Sequence, residues 1–160
     1  MDRDLTFRDA QLKDAAGLAE IGRETFAETF GDLYPPGDLR QFLDETYSID
    51  KMENDLNDPD VETRIAYSGR KMVAYCKIGP CKLPIDIGPE PALELHRVYV
   101  YQHGQGVGVG RILLAWAIER ARQRGAKNLY LGVWESNERA IALYESRGFE
   151  KVGGYKFKVG

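Results

Sequence analysis

Four glycines at alternate positions of Gly104–Gly110 separate a predicted strand, Ala92–Tyr101, from a predicted helix, Arg111–Arg124. Glycine has no Cβ, so the backbone N–H groups of such a loop can converge on an anion. A helix that begins there adds unpaired N–H groups and the positive end of its dipole. The stretch is therefore a candidate phosphate-binding loop.

The spacing of these glycines argues against two common nucleotide-binding loops. A Walker A loop ends in Gly-Lys-Ser/Thr, whereas Gly110 is followed by Arg111 and Ile112. A dinucleotide-binding loop needs Gly-x-Gly-x-x-Gly, and no register of the four glycines supplies the third one. The pattern that fits is Gln-x-x-Gly-x-Gly over Gln105–Gly110. This hexapeptide resembles the pyrophosphate loop of the GNAT acetyltransferases, which bind acetyl-coenzyme A.

A second motif follows a strand predicted to be buried, Asn128–Val133. From Asn137 to Phe149 the chain reads Asn-x-x-Ala-x-x-Leu-Tyr-x-x-x-Gly-Phe, across a predicted helix Glu138–Arg147. This motif resembles the second GNAT signature, and the two motifs occur in the correct order. The resemblance covers residues 92 to 152. Thr25–Phe30 and the segment after it also resemble, less specifically, the N-terminal helices of bacterial spermidine/spermine-type acetyltransferases.

The resemblance implies an α/β GNAT fold, with a mixed twisted sheet of about six to seven strands flanked by helices. It places acetyl-coenzyme A, with no metal, in the cleft between two splayed strands. The order of elements along the chain agrees with a mixed sheet. We predict one domain over residues 1–160, with a helix over Leu12–Phe30 and a last strand or hairpin at Phe149–Val159.

The resemblance also assigns the contacts with the cofactor. The backbone of Val98–Val100 would pair with the pantetheine arm, and the loop amides would hold the pyrophosphate. Asn137 would bind the pantetheine region, and it is also suited to cap its helix. The full set of cofactor positions comprises Val98, Tyr99, Val100, Gln105, Gly106, Val107, Gly108, Val109, Gly110, Arg111, Asn137 and Tyr144.

Two catalytic roles follow from the resemblance. Tyr144 lies where the family has a general acid for the departing thiolate, and a phenol of pKa ~10 is protonated at neutral pH. Its alternative role is packing against the sheet. Glu94 lies near the glutamate base of histone-acetyltransferase members. A strand places Glu94 and His96 on one face, so either could take the amine proton, directly or through water. Alternatively, Glu94 only anchors the ammonium.

The distribution of charge suggests what the acceptor is. The net charge is −3, but the chain through Pro91 has 19 acidic and 11 basic residues, and the remainder has 6 and 11. Glu20, Glu24 and Glu28 share one flank of the first helix, either as a solvated face or as an acidic wall beside a substrate. We expect a polyamine or another cationic small amine, contacted by Glu24, Glu28 and His96. Amino acids, protein N-termini and a non-catalytic acyl-CoA sensor remain alternatives.

Other classes of partner are disfavoured. The sequence has no contiguous basic stripe for nucleic acid and no apolar run as long as a membrane span. A start without the features of a signal peptide predicts a cytoplasmic protein. Cys76 and Cys81 do not make a disulfide scaffold. A homodimer is possible through the edge at Phe149–Val159.

Overall fold

The computed structural model describes residues 5–101 and 108–154. The strands are β1 (Leu5–Asp9), β2 (Glu62–Ser68), β3 (Lys71–Pro80), β4 (Ala92–Val100) and β5 (Asn128–Leu131). The α-helices are α1 (Ala15–Phe30), α2 (Pro36–Thr46), α3 (Ile49–Asn57), α4 (Val109–Gln123) and α5 (Glu138–Ser146). Short 3₁₀ turns, Leu12–Asp14 and Gly31–Leu33, lie on either side of α1.

The strands form one mixed sheet in the order β1-β2-β3-β4-β5. Neighbours are antiparallel except β4 and β5, which are parallel. The α/β class and the mixed sheet are confirmed, but the described residues contain five strands rather than six to seven. The predicted last strand is not formed over 149–154, and its remainder lies outside the described residues.

Helices cover both faces of the sheet. On one face α1, α2 and α3 bury an aromatic core that includes Phe26, Tyr47 and Tyr75. On the other face Leu113 and Leu114 of α4 are fully buried against the sheet, and α5 packs at the margin of the same core. Because burial of both faces removes most apolar surface from water, the sheet is a rigid support for the ends of β4.

Two irregularities of β4 create the space for a site. Its pairing with β3 shifts register so that Lys77 lies opposite Arg97 and Ile78 opposite Leu95, which leaves His96 as an extra residue. Such a β-bulge bends the strand and redirects side chains. Pairing with β5 ends at Leu95 and Leu131. Beyond that point the edge of β4 that faces away from β3 is not paired with β5.

Several predicted boundaries needed correction. Helix α4 begins at Val109, two residues before the predicted start, because Gly108 is its N-cap residue. Strand β5 ends at Leu131, not Val133. It is half-buried rather than buried, because it is an edge strand of the described sheet. Within the described residues, no helix has both the length and the apolar character needed to cross a membrane.

Candidate active site

The open edge of β4 presents backbone groups from alternate residues. Tyr101 donates its N–H to the carbonyl of Val73 on β3, with an N···O distance of 3.1 Å. Backbone N–H groups alternate between the two edges of a strand, so Tyr99 also points to β3, whereas Val98 and Val100 point to the open edge. An extended molecule lying there could therefore hydrogen-bond to Val98 and Val100. Of the three predicted pantetheine contacts, Tyr99 has its backbone on the other side.

The start of α4 lies directly after β4 in the chain. Gly108 has φ 84° and ψ 5°, a left-handed conformation that glycine adopts without strain, and its carbonyl accepts the N–H of Ile112 at 3.1 Å. The N–H groups of Val109, Gly110 and Arg111 therefore precede the first intrahelical bond and are available to an anion. This arrangement fits a phosphate group. The predicted contacts Gln105, Gly106 and Val107 lie outside the described residues.

Gly110 brings α4 close to both β4 and α5. A Cβ at this position would lie 3.7 Å from Leu143 Cδ2 and 3.8 Å from Val100 Cγ2, which is ordinary contact. Asn137 caps α5, and its Oδ1 accepts the N–H of Ala140 at 3.2 Å. The helix-capping role predicted for Asn137 is thus present, and α5 carries Tyr144 on the margin of the core that contains α4.

The side chain of Tyr144 on α5 is mostly buried. Its ring packs edge-on against Phe149, with the centroids 5.9 Å apart. Burial, followed by the proximity of Tyr99 and Cys76, raises the pKa of Tyr144 to about 12. Among the described residues no hydrogen bond to its hydroxyl is found. The phenol is therefore protonated at neutral pH and has a donor available for a ligand.

Glu94 and His96 are brought together by the structure. His96 Nδ1 lies 3.5 Å from Glu94 Oε1, and the same oxygen accepts the N–H of Lys82 at 2.8 Å. Burial raises the pKa of Glu94, although the bond from Lys82 and the charge of Arg97 act in the opposite direction. Burial, aided by the charge of Lys77, lowers the pKa of His96 to about 4. His96 is therefore neutral at pH 7, and the lowered pKa makes it a weaker base than an exposed histidine.

A cavity of about 390 Å³ opens beside His96 and Arg97. Its charged lining comprises Glu45, Lys51, Asp55, Lys77, Lys82 and Arg97. Asp55 is already bonded to Lys77, with an O···N distance of 2.6 Å. The volume lies in the range of small-molecule sites, and the cavity lies next to the two candidate bases. It is the candidate acceptor pocket.

The two predicted acidic contacts lie elsewhere. Glu24 and Glu28 are exposed on α1, and neither lines this cavity. Glu24 hydrogen-bonds to Tyr101, and burial together with this bond raises the pKa of the tyrosine. The acidic flank of α1 therefore faces the end of β4 that leads to the glycine loop. Of the predicted acceptor contacts, only His96 borders the cavity.

A cluster around Arg97 was missed by the sequence analysis. Nη1 of Arg97 donates to the hydroxyls of Tyr47 and Tyr99 at 2.8 Å and 3.1 Å, and these hydroxyls are 2.5 Å apart. The guanidinium also lies over the Tyr47 ring, 4.8 Å from its centroid. The sequence pattern that could have predicted this cluster is the alternation of Arg97, Tyr99 and Tyr101, which places the three side chains on one face of β4.

The family match and the fold define an acyltransferase that uses coenzyme A. The chain belongs to the acetyltransferase (GNAT) family, whose model matches residues 23–149. It is an N-acetyltransferase of this family, and acetyl-coenzyme A is its acetyl donor. The residues at the open edge of β4 and at the start of α4 fit that molecule.

Three similar proteins illustrate the assignment. An uncharacterised N-acetyltransferase in the pepI 3' region of Lactobacillus delbrueckii subsp. lactis is 32% identical over 148 residues, which are 92% of this chain and 86% of that protein. The PaiA N-acetyltransferase of Thermoplasma acidophilum, solved with coenzyme A, has a TM-score of 0.78 at 20% identity, covering 91% and 89% of the two chains. The aminoglycoside N-acetyltransferase AAC(6')-Iy, also solved with coenzyme A, has a TM-score of 0.69 at 13% identity, covering 98% and 94%. The two solved structures share the fold.

Proposed function

We propose that the protein transfers the acetyl group of acetyl-coenzyme A to a small primary amine by direct attack within a ternary complex. The observation that carries this proposal is the open edge of β4, which has a helix start at one end and the Glu94–His96 pair at the other. In this proposal the thioester lies along this edge, and the amine enters from the cavity beside His96. Orientation of the two reactants is then the main source of rate acceleration.

The proposed cofactor contacts use backbone groups. Val98 and Val100 bond to the pantetheine arm, and the N–H groups of Val109, Gly110 and Arg111 bind the pyrophosphate. Gln105–Val107, outside the described residues, complete this loop. The side chains of Val98 and Val100 pack toward α4, which supports their role as a fixed edge. Backbone recognition needs no particular side chain at these positions, apart from small residues where phosphate must approach.

The proposed proton transfers use the two ends of the cleft. The amine must lose a proton before attack, because an ammonium has no lone pair. His96 or Glu94 takes that proton, directly or through water. Nδ1 of His96 lies 3.5 Å from Oε1 of Glu94. Tyr144 donates its phenolic proton to the thiolate as the C–S bond breaks. Direct attack requires no covalent enzyme intermediate, and Cys76 supports this because it is buried and its thiol pKa is raised by burial.

The charges of the structure support two classes of acceptor. A polyamine or another cationic amine, as expected from the sequence, is supported by the exposed acidic flank of α1 beside Tyr101. An amine that also carries an acidic group is supported by the excess of basic residues around the cavity. Protein N-termini are a further candidate. A homodimer, a cytoplasmic location and a single domain over the whole chain stay predictions of the sequence.

Release of free coenzyme A thiol from acetyl-coenzyme A tests the proposed reaction. The panel contains spermidine, spermine, the amino acids and short peptides, and each product is identified by mass. We expect at least one primary amine to give equal amounts of thiol and acetylated amine. Thiol release without an acetylated amine would indicate hydrolysis. Absence of transfer to every amine, with coenzyme A bound tightly, would contradict the proposal for these acceptors.

A further inference from the structure

The cavity beside His96 has more positive than negative charge. Its basic residues are Lys51, Lys77, Lys82 and Arg97, and its acidic residues are Glu45 and Asp55. His96 adds no charge at neutral pH, since its pKa is about 4. Even if Glu94 is ionised behind His96, one positive charge remains in excess. A second ammonium group would therefore be repelled here, whereas an anion would be attracted.

Arg97 is the charged group in this lining whose burial is least compensated. It forms no ion pair with an aspartate or glutamate of residues 5–101 or 108–154, and its Nε is buried without a hydrogen-bond partner. Two tyrosine hydroxyls, of Tyr47 and Tyr99, accept hydrogen bonds from Nη1 instead. Buried charges in proteins are normally paired, and a buried polar atom without a partner calls for an explanation. An anionic ligand would supply the missing charge.

The tyrosines hold the guanidinium in a fixed position. Tyr47 and Tyr99 bind the Nη1 side, and the Tyr47 ring lies against the guanidinium face. Nη2 has no hydrogen bond to the described residues, while Arg97 as a whole borders the cavity. A charge held in this way needs little reorganisation when a ligand binds, and this preorganisation favours affinity.

We propose that the acceptor is a small amine that also carries a carboxylate or phosphate group, and that Arg97 binds this group within the cavity. The inference rests on the proposed function, because it names the acceptor class of the same site. Arg97 directly follows His96 in the β-bulge, so an anion at Arg97 leaves the amine of the same molecule beside the candidate bases. Lys51 and Lys82 add positive charge at the rim. A polyamine has no group for this position.

Matched acceptors test the proposal on the wild-type protein. Amino acids are compared with their α-amides, and 2-aminoethyl phosphate with ethanolamine, so that each pair differs in one anionic group. Hydrogen bonds to charged groups predict that loss of the anion lowers kcat/KM by about tenfold or more. The pair with the larger loss of kcat/KM shows whether the natural acceptor carries a carboxylate or a phosphate. Equal rates within the pairs, or highest rates with spermidine, would overturn the proposal.

Variants assign the effect to Arg97. Arg97→Gln should leave KM for acetyl-coenzyme A unchanged. It should also lower the ratio of kcat/KM for the anionic acceptor to kcat/KM for its neutral partner at least tenfold, because only the anionic acceptor loses a charged partner. Arg97→Lys should restore part of the affinity. Lys51→Gln changes an exposed residue at the rim and should give a smaller rise in KM for the anionic acceptor. This variant tests the proposal if Arg97→Gln does not fold. An equal loss for anionic and neutral acceptors would mean that Arg97 is only structural.

A binding experiment separates this inference from the proposed reaction. Protein loaded with coenzyme A is titrated calorimetrically with the N-acetyl derivative of each amino acid and with its amide. Tighter binding of the carboxylates, lost in Arg97→Gln, supports the anion site even if no amine is acetylated. Acetylation of neutral amines without any binding preference would support the proposed function and overturn the anion site.

Discussion

Replacing Tyr144 with phenylalanine removes one hydroxyl and leaves the aromatic ring in place. The contact with Phe149 is kept, and no described residue hydrogen-bonds to the lost hydroxyl. The free energy of unfolding should therefore change by less than about 1 kcal/mol, which is a shift in Tm of at most about 4 °C. A general acid contributes about 10²–10⁴-fold, so kcat should fall by that factor.

The assay is thiol release at saturating acetyl-coenzyme A and acceptor, with thermal melting on the same samples. Tyr67→Phe is the matched control, because the Tyr67 hydroxyl bonds to Asp14 and Arg8 at the other end of the sheet. The control should lose stability and keep its turnover, the reverse of Tyr144→Phe. Because the pKa of Tyr144 is raised to about 12, ionisation of this group should not lower the rate between pH 7 and about pH 10. Full turnover of Tyr144→Phe would remove the residue from the mechanism.

Three further perturbations test other parts of the site. Gly108→Val forces a β-branched residue to φ 84°, so we expect calorimetry to show at least tenfold weaker binding of coenzyme A; an unchanged affinity would exclude this loop as the phosphate site. Glu94→Gln keeps an acceptor for the N–H of Lys82, and kcat should fall about 10²-fold if Glu94 is the base; retention of kcat would assign the proton to His96 or water. The pKa of His96 falls from 6.5 unfolded to about 4 folded, so the unfolded chain binds more protons. Neutral His96 therefore contributes up to about 3 kcal/mol to the free energy of unfolding. This contribution is complete above pH 6.5 and is lost as the pH falls to 4. His96→Gln should make the Tm depend less steeply on pH between pH 4 and 6.5. The same pH dependence of Tm in the variant and the wild type would contradict a buried neutral histidine.

Features carried by local sequence were predicted well. The glycine motif and the Asn137–Phe149 motif each occupy one continuous stretch, and the structure has a helix start after the first and a capped helix at the second. The α/β order and the mixed sheet follow from the alternation of strands and helices. The described residues contain fewer strands than the six to seven predicted, because Phe149–Val159 has strand-like composition but no strand neighbour over its described part.

Features that depend on pairing between distant segments could not be predicted. The bulge at His96 arises from the register of β3 against β4, which no local pattern of β4 encodes. The Arg97 cluster needs Tyr47, which is fifty residues away and comes from the end of α2. The acidic residues were correctly placed on one flank of α1, but the sequence could not show that this flank lies outside the cavity. The charge of the pocket therefore differs from the charge of the N-terminal half.

Amide hydrogen exchange by NMR, with and without coenzyme A, tests the central claim that the open edge of β4 binds the cofactor. The N–H groups of Val98 and Val100 should become protected when coenzyme A saturates the protein, together with those of Gly110 and Arg111. Tyr99, whose N–H already points to β3, should change little. Saturation with coenzyme A without added protection at Val98 and Val100 would contradict the proposed site.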